Sequence, residues 1–199
     1  MMFNWNYFKE KLVNSPNDVQ IFEKAESDKQ LVGGNTVLET ITGNVSFILV
    51  NKYLRILGTS DSLYENIFGF TGEFRKVFGE EKYIVAYDVF GGIFASEGTK
   101  HYFSPDSLQW EDLDVSYEEF INWIANEDIT DFYETFMWKD MDELLNRVKT
   151  DEGIFIYPFL WAEECDIETA FKKIVPYKDL LVSNFQNMSI VEGEIIDNN

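Results

Sequence analysis

Histidine and cysteine are almost absent from this sequence of 199 residues, which contains one of each. The single Cys165 excludes an intramolecular disulfide and a cysteine-rich metal site, and we interpret it as a packed thiol. The single His101 excludes metal sites and mechanisms that need two histidines, and a Ser-His-Asp unit would have to use it. We interpret His101 as a structural or surface residue and predict no bound metal.

The sequence also lacks the short motifs of common catalytic and nucleotide-binding sites. It contains no G-x-S-x-G, no G-x-G-x-x-G and no G-x-x-x-x-G-K-[ST]. The Gly91-Gly92 pair lies between two predicted strands, which is typical of a tight hairpin and not of a phosphate site at a helix N-terminus. Asp88, just before this pair, is explained by a turn in which the carboxylate bonds its own backbone. We predict a protein that is not an enzyme and has no cofactor.

Long apolar runs are missing as well. No uninterrupted run approaches the roughly 18 residues needed to span a bilayer. The N-terminus MMFNWNYFKEKLV has neither a basic start followed by a long apolar stretch nor a small-residue cleavage site. We therefore expect a cytoplasmic protein without a signal peptide.

Basic residues are scarce beside acidic ones, since 16 Lys and Arg stand against 36 Asp and Glu and give a net charge of −20. Residues 106–168 alone hold 19 acidic and three basic residues. A field of this sign repels nucleic acid and anionic membranes and accelerates encounters with basic proteins. A solvated surface that only keeps the protein soluble explains the same charge, so both interpretations stay open.

Apolar and aromatic residues are abundant, at 45% and 17%, so we expect the chain to fold on its own. Ser116 and Glu119 have the spacing of a capping box at a helix start, and Asn51-Lys52 separates two strands as a hairpin turn does. The patterns predict strands at 19–22, 46–50, 53–57, 83–89, 93–96, 100–103, 108–110 and 154–161, and helices at 3–13, 63–68, 117–126, 128–137, 140–149 and 167–174. Because strands and helices come in blocks, we predict one α+β domain over 1–199 with an antiparallel sheet and a tail that frays from about residue 192.

Six separated motifs keep a fixed order along the chain: TGNVSFILVNKYLRILGTSD (42–61), YIVAYDVFGGIFA (83–95), YFSPDSLQWEDL (102–113), YEEFINWI (117–124), FYETFMW (132–138) and IFIYPFLW (154–161). Together they resemble the bacterial family known as domain of unknown function 2625. The chain departs from that family at Asn44, where a second glycine is usual, and at Asn51-Lys52-Tyr53, where a Gly-Trp pair is commoner. The family has no established activity, so this resemblance bears on the fold alone.

The order strand, Gly-Gly, strand, aromatic-Pro-Asp turn, Trp-x-x-Leu and capped helix is similar, more distantly, to the SUKH superfamily. Many members of that superfamily are immunity proteins that neutralise toxins, often nucleases, by binding them. The resemblance implies a SUKH-like sheet packed with helices and a role in binding, by analogy of fold.

We therefore predict a non-catalytic acidic protein that binds a basic protein partner, such as a toxin domain held by an immunity protein. Trp110 or Trp138 would anchor the partner, because Trp and Tyr are common binding hot spots. Carboxylates would supply the negative face and set the rate of association: Glu111, Asp112, Asp114, Glu118, Glu119, Glu127, Asp128 and Asp131.

The alternative is a small-ligand-binding protein or an enzyme with a carboxylate-lined, aromatic cleft near Arg55, Asp88 and His101. In that case Arg55, an isolated cation in an apolar strand, would hold an anionic ligand. Its simpler role is to pair with a neighbouring carboxylate. A deep pocket at these residues would favour the alternative, and a contiguous acidic surface with exposed aromatic side chains would favour protein binding.

Overall fold

The backbone forms a seven-stranded antiparallel sheet whose strands lie in sequence order, and a separate two-stranded antiparallel sheet. The structure is a computed structural model that describes residues 3–26, 28–29, 35–96 and 100–197. Residue 100 and residues 189–197 are described by their backbone alone. The strands of the large sheet are β1 (Val19–Glu23), β2 (Val45–Val50), β3 (Leu54–Leu57), β4 (Tyr83–Asp88), β5 (Ile93–Ser96), β6 (Lys100–Ser104) and β7 (Gln109–Asp112). The small sheet pairs β8 (Glu152–Tyr157) with β9 (Phe171–Pro176).

Helices surround the sheets. They are α1 (Trp5–Val13), α2 (Val37–Asn44), α3 (Ile67–Phe78), α4 (Tyr117–Asn126), α5 (Met141–Leu145) and α6 (Tyr177–Asp197), with 3-10 helices at Leu63–Glu65 and Asp131–Phe136. The prediction of an α+β fold with an antiparallel sheet packed against helices is confirmed. The backbone stays helical through Asp197, beyond the position at which the sequence predicts fraying.

The large sheet is covered by helices on both faces. On one face Phe120 of α4 packs against Phe94 of β5, with ring centroids 5.0 Å apart. On the other face Phe70 of α3 stacks on Tyr87 of β4 at 4.4 Å. Both layers bury a large aromatic core, which accounts for the high aromatic content of the sequence.

The hairpin between β2 and β3 lies where the sequence predicts it, but three residues and not two separate the paired residues Val50 and Leu54. Asn51 and Lys52 both have positive φ, at 47° and 63°, as the two central residues of a type I′ turn require. Tyr53 N–H donates to the Val50 carbonyl at 3.1 Å, and strand pairing starts at Val50 and Leu54.

Two predicted elements are wrong, and three helices, α2, α3 and α6, were not predicted. Residues 167–174, predicted as a helix, contain the start of β9, which pairs with β8 along its whole length. The predicted helix over 128–137 is a short 3-10 helix. The predicted helix over 63–68 is a 3-10 helix at Leu63–Glu65, and α3 follows it, capped by Asn66, whose side chain accepts from Phe68 N and Gly69 N.

Candidate functional site

All eight predicted carboxylates are exposed and follow one stretch of chain along β7, the loop after it, α4 and the next 3-10 helix. We call the following residues the acidic face: Glu111, Asp112, Asp114, Glu118, Glu119, Glu127, Asp128 and Asp131. Within the described part of the chain, none of them forms an ion pair with Lys or Arg. Residues 101–138 contain ten Asp and Glu and no Lys or Arg, so nothing in this stretch neutralises the charge.

Local hydrogen bonds hold two of these carboxylates ionised. Glu119 Oε2 accepts from Ser116 N at 2.7 Å and from Ser116 Oγ at 2.6 Å, which completes the capping box of α4 and lowers the pKa of Glu119. Asp128 Oδ1 accepts from Thr130 Oγ1 and Thr130 N, and these bonds lower the pKa of Asp128. Glu119 and Asp128 therefore keep their charges at neutral pH.

An apolar pocket of about 200 Å³ includes Glu119 of the acidic face in its lining. Leu113, Val115, Glu119, Phe120, Trp123 and Phe132 line it, and we call it the Trp123 pocket. Asp112 and Asp114 flank Leu113 along the chain, and Asp131 precedes Phe132. Glu127 is the C-cap of α4, where its N–H donates to the Trp123 carbonyl, so the chain segments that form the pocket also carry exposed carboxylates.

The walls of the Trp123 pocket are fixed by the core of the large sheet. Trp123 meets Phe132 edge-to-face, with ring centroids 5.4 Å apart. Phe132 in turn packs edge-to-face on Tyr102 of β6 at 5.0 Å and lies 6.0 Å from Phe94. Because Tyr102 and Phe94 are fully buried, the pocket is formed before any partner arrives.

Asp88 is fully buried at the end of β4 and has the turn role that the sequence suggests. Its Oδ1 accepts from Phe90 N at 2.9 Å and Gly92 N at 2.8 Å, while Oδ2 accepts from the hydroxyls of Tyr102 and Tyr133. A Cβ at Gly92 would overlap the carboxylate and the Tyr102 hydroxyl, so the turn needs glycine there. Burial raises the pKa of Asp88 to about 6, against the lowering effect of these hydrogen bonds.

Arg55 is buried in β3 and bonds the backbone of a distant segment. Its Nη1 donates to the carbonyls of Thr150 (3.2 Å) and Glu152 (2.8 Å), and its Nη2 donates to the Lys149 carbonyl (2.7 Å). Its guanidinium also lies over the Tyr87 ring, 5.4 Å from the centroid. The expected carboxylate partner is thus replaced by three carbonyl groups.

A family model described as protein of unknown function DUF2625 matches residues 3–180. The chain belongs to this family. It is 34% identical to the putative uncharacterized protein YbfG of Escherichia coli over 110 residues, which cover 51% of this chain and 50% of that protein. It is 27% identical to an uncharacterized protein of Haemophilus influenzae over 172 residues, covering 77% and 75% of the two chains. The chain thus spans about half the length of the first relative. No solved structure matches.

The two tryptophans predicted as anchors in this DUF2625 protein are half-buried under lysines. Trp110 donates to Glu80 Oε1 at 3.3 Å, and Lys82 Nζ lies 4.8 Å from its ring centroid. Lys172 Nζ lies 4.9 Å from the ring centroid of Trp138. Sequence reasoning missed Trp123 as the aromatic residue of the pocket, although its place among charged neighbours on a capped helix was a usable signal.

The three residues of the alternative site are not brought together. Arg55 pairs with Tyr87 and Asp88 pairs with Leu54 across β3 and β4, so their side chains leave opposite faces of the sheet. His101 lies on β6, three strand spacings or about 14 Å from β3. Arg55 lines an open groove of about 310 Å³, but its nitrogens Nη1 and Nη2 are occupied by carbonyls. No group of three or more metal-ligating side chains occurs among the described residues.

Removing the N-cap of α4 tests how firmly this part of the site is held. We expect Ser116→Ala to lower the free energy of unfolding by about 1 kcal/mol, because Glu119 N loses its acceptor and Glu119 Oε2 loses the bond from the hydroxyl, although it keeps the bond from the backbone N–H of residue 116. Urea denaturation measures the change. Ser62→Ala is the matched control, since Ser62 precedes a 3-10 helix without a side-chain cap bond. Equal losses in the two variants would show that the capping box adds nothing.

Proposed function

We propose that this DUF2625 protein binds a basic protein partner through the acidic face and is not an enzyme. The observation that carries the proposal is the Trp123 pocket, which Glu119 helps to line and whose chain segments carry exposed carboxylates that have no Lys or Arg partner among the described residues. An apolar centre with a charged rim is the usual anatomy of a protein-binding site. A toxin domain held by an immunity protein is the kind of complex that the SUKH-like order of motifs supports.

The two parts of the site have different kinetic roles. The carboxylates attract a basic partner over a distance and set the association rate, which falls as salt screens them. The apolar pocket excludes water at short range and sets the lifetime of the complex. The same sign of charge disfavours nucleic acid and anionic lipid as partners.

The proposal includes a cytoplasmic site of action and needs neither metal nor cofactor. The helices that the structure describes include none with the length and apolar character to cross a membrane. A pull-down from a lysate of the native source at low and at high salt, with mass spectrometry of the bound proteins, tests the proposal directly. One basic protein retained in stoichiometric amount and released by salt supports it, and retention of nothing specific contradicts it.

Charge reversal then tests the acidic face itself. We expect the triple variant Glu118→Lys, Glu127→Lys and Asp131→Lys to slow association with the captured partner by about 10- to 100-fold at low salt. These three side chains are exposed and form no hydrogen bond within the described part of the chain, so the fold should tolerate the change. Stopped-flow or surface-plasmon measurements at several salt concentrations give the rates.

The control is a triple variant in which Glu143, Glu163 and Glu164 are each replaced by Lys. These residues are exposed and lie outside the acidic face. It changes the net charge by the same amount. Equal slowing by both triples would mean that overall charge, and not the acidic face, attracts the partner.

A further inference from the structure

We infer that the Trp123 pocket receives one bulky apolar side chain carried by a Lys- and Arg-rich segment of the partner. This inference rests on the proposed function and specifies what the partner must present: an aromatic or leucine-sized residue with basic residues on both sides. The pocket is then the specificity element of a surface whose charge alone would accept any basic protein.

The size of the pocket sets the size of the group that enters it. An apolar cavity of about 150 Å³ is large enough to hold benzene. The Trp123 pocket, at about 200 Å³, therefore takes one phenyl-sized or leucine-sized group and excludes a whole helix or strand. Its lining is apolar except for Glu119, whose Oε2 is already bonded to Ser116, so it offers little to a polar group.

The charge around the pocket identifies what flanks the inserted group. Asp112 and Asp114 precede and follow Leu113 along the chain and Asp131 precedes Phe132, while Glu118 and Glu127 stand at the two ends of α4. A segment that placed its apolar residue in the pocket would bring its neighbouring residues over these carboxylates. Lys and Arg satisfy them, whereas Asp and Glu would be repelled.

The same charge disfavours a second copy of this chain as the occupant. The chain carries a net charge of −20, and its ten acidic residues between 101 and 138 would face those of the second copy. Like-charge contacts of this kind oppose association. A free apolar small molecule would fill the pocket but would leave the carboxylates of the acidic face without any role.

Preformed walls make the pocket an efficient anchor site. Trp123 and Phe132 are held by Phe120, Tyr102 and Phe94, so little ordering is required when a side chain enters. Water-excluded centres of this type concentrate binding energy in one or two residues. A single residue of the partner should therefore dominate the affinity.

The test uses the full chain and three labelled peptides. The first is a short Lys- and Arg-rich peptide with one central Phe, the second has Ala in place of Phe, and the third keeps Phe but replaces the basic residues with Ser. Fluorescence anisotropy at low salt gives the affinities. We expect the first to bind about 10- to 30-fold more tightly than the second, and the third not to bind measurably.

Pocket variants connect that difference to the Trp123 pocket. Leu113→Ala and Trp123→Ala should each bring the affinity of the Phe peptide close to that of the Ala peptide. Leu63→Ala, at an apolar position 39% exposed outside the acidic face, should leave the ratio unchanged. Circular dichroism identifies a variant that has lost its fold. If Trp123→Ala does not fold, Leu113→Ala, which changes a loop residue, still tests the pocket.

The outcomes separate the two proposals. Equal, salt-sensitive binding of the Phe and Ala peptides overturns the inference about the pocket and leaves the acidic face as a binding surface. Binding of the Ser-substituted peptide as tight as that of the basic one makes the pocket a site for apolar groups in general and overturns the requirement for flanking cations. Failure of both basic peptides to bind overturns the inference, and with an empty pull-down the proposed function as well.

Discussion

Replacing Asp88 with alanine is expected to lower the free energy of unfolding by about 3 to 5 kcal/mol. The carboxylate accepts four hydrogen bonds, from Phe90 N, Gly92 N and the hydroxyls of Tyr102 and Tyr133, all of them buried. Alanine leaves these donors without an acceptor and creates a small cavity beside them. Each buried donor without a partner is destabilising by about 1 to 3 kcal/mol, although the contributions are not additive. Urea or thermal denaturation measures the loss.

Asp88→Asn is the matched control, because it keeps the shape of the side chain and removes its charge. The asparagine oxygen still accepts from the two backbone N–H groups of the turn. Its amide then faces the Tyr102 and Tyr133 hydroxyls, which rotate to accept instead of donating. We expect a much smaller loss than for alanine. If both variants were equally unstable, the charge of Asp88, and not its hydrogen bonds, would stabilise the turn.

Wild type and Asp88→Asn are also expected to differ in how their stability depends on pH. Burial raises the pKa of Asp88 from 3.8 to about 6, so the folded state binds its proton more tightly than the unfolded state does. The stability that follows from this difference is fully present below pH 3.8 and is lost as the pH rises through about 6. Relative to Asp88→Asn, the wild type should therefore lose up to about 3 kcal/mol between pH 4 and pH 7.

Comparison with the asparagine variant is necessary because other carboxylates titrate in the opposite sense. The pKa of Glu23 is lowered to about 2, first by its bond to Lys9, and the pKa of Glu119 is lowered by Ser116. The contribution of these groups to stability is lost as the pH falls, and this loss is the same in the wild type and in Asp88→Asn. A free-energy difference between wild type and Asp88→Asn that stays constant from pH 4 to pH 7 would contradict the raised pKa.

Elements whose signals are local were predictable from the sequence. The spacing of Ser116 and Glu119 predicts the capping box of α4, and the glycine pair after Asp88 predicts the turn there. Helix α3 was hidden because Gly69 and Gly72 lower its helix propensity, although its buried residues recur at helical spacing. Strand β9 was mistaken for a helix because its strand identity comes from pairing with β8 and not from its own pattern.

The candidate site also has one part that the sequence predicts and one part that it does not. The exposure of the acidic face was predictable because its residues all fall within 111–131 and charged side chains are seldom buried. The Trp123 pocket was not, since Leu113, Trp123 and Phe132 come together only when α4 and the following 3-10 helix pack on Phe94 and Tyr102. Trp110 and Trp138 are half-buried like the pocket residues, but a lysine lies against each of their rings, and a sequence alone does not give such contacts.

Arg55 shows the limit of sequence reasoning most clearly, and its substitution is the second large effect that we expect. Arg55→Met should lower the free energy of unfolding by about 3 kcal/mol, because three charge-assisted bonds to the carbonyls of residues 149, 150 and 152 are lost. Methionine fills much of the volume, so the loss reports mainly on hydrogen bonds. The stability of Arg55→Lys should lie between those of the wild type and Arg55→Met, since one ammonium group does not reproduce the planar fork of the guanidinium.

Lys52→Met is the control for charge: it removes one cation from the same groove, but the Lys52 side chain is 32% exposed and pairs with Asp142 at 3.5 Å. We expect it to change stability by less than about 1 kcal/mol. Urea denaturation of the three variants decides between the two roles considered for Arg55. A loss for Arg55→Met no larger than that for Lys52→Met would mean that the carbonyl bonds contribute little. The guanidinium would then be available to an anion, and the groove at Arg55 would become the better candidate site.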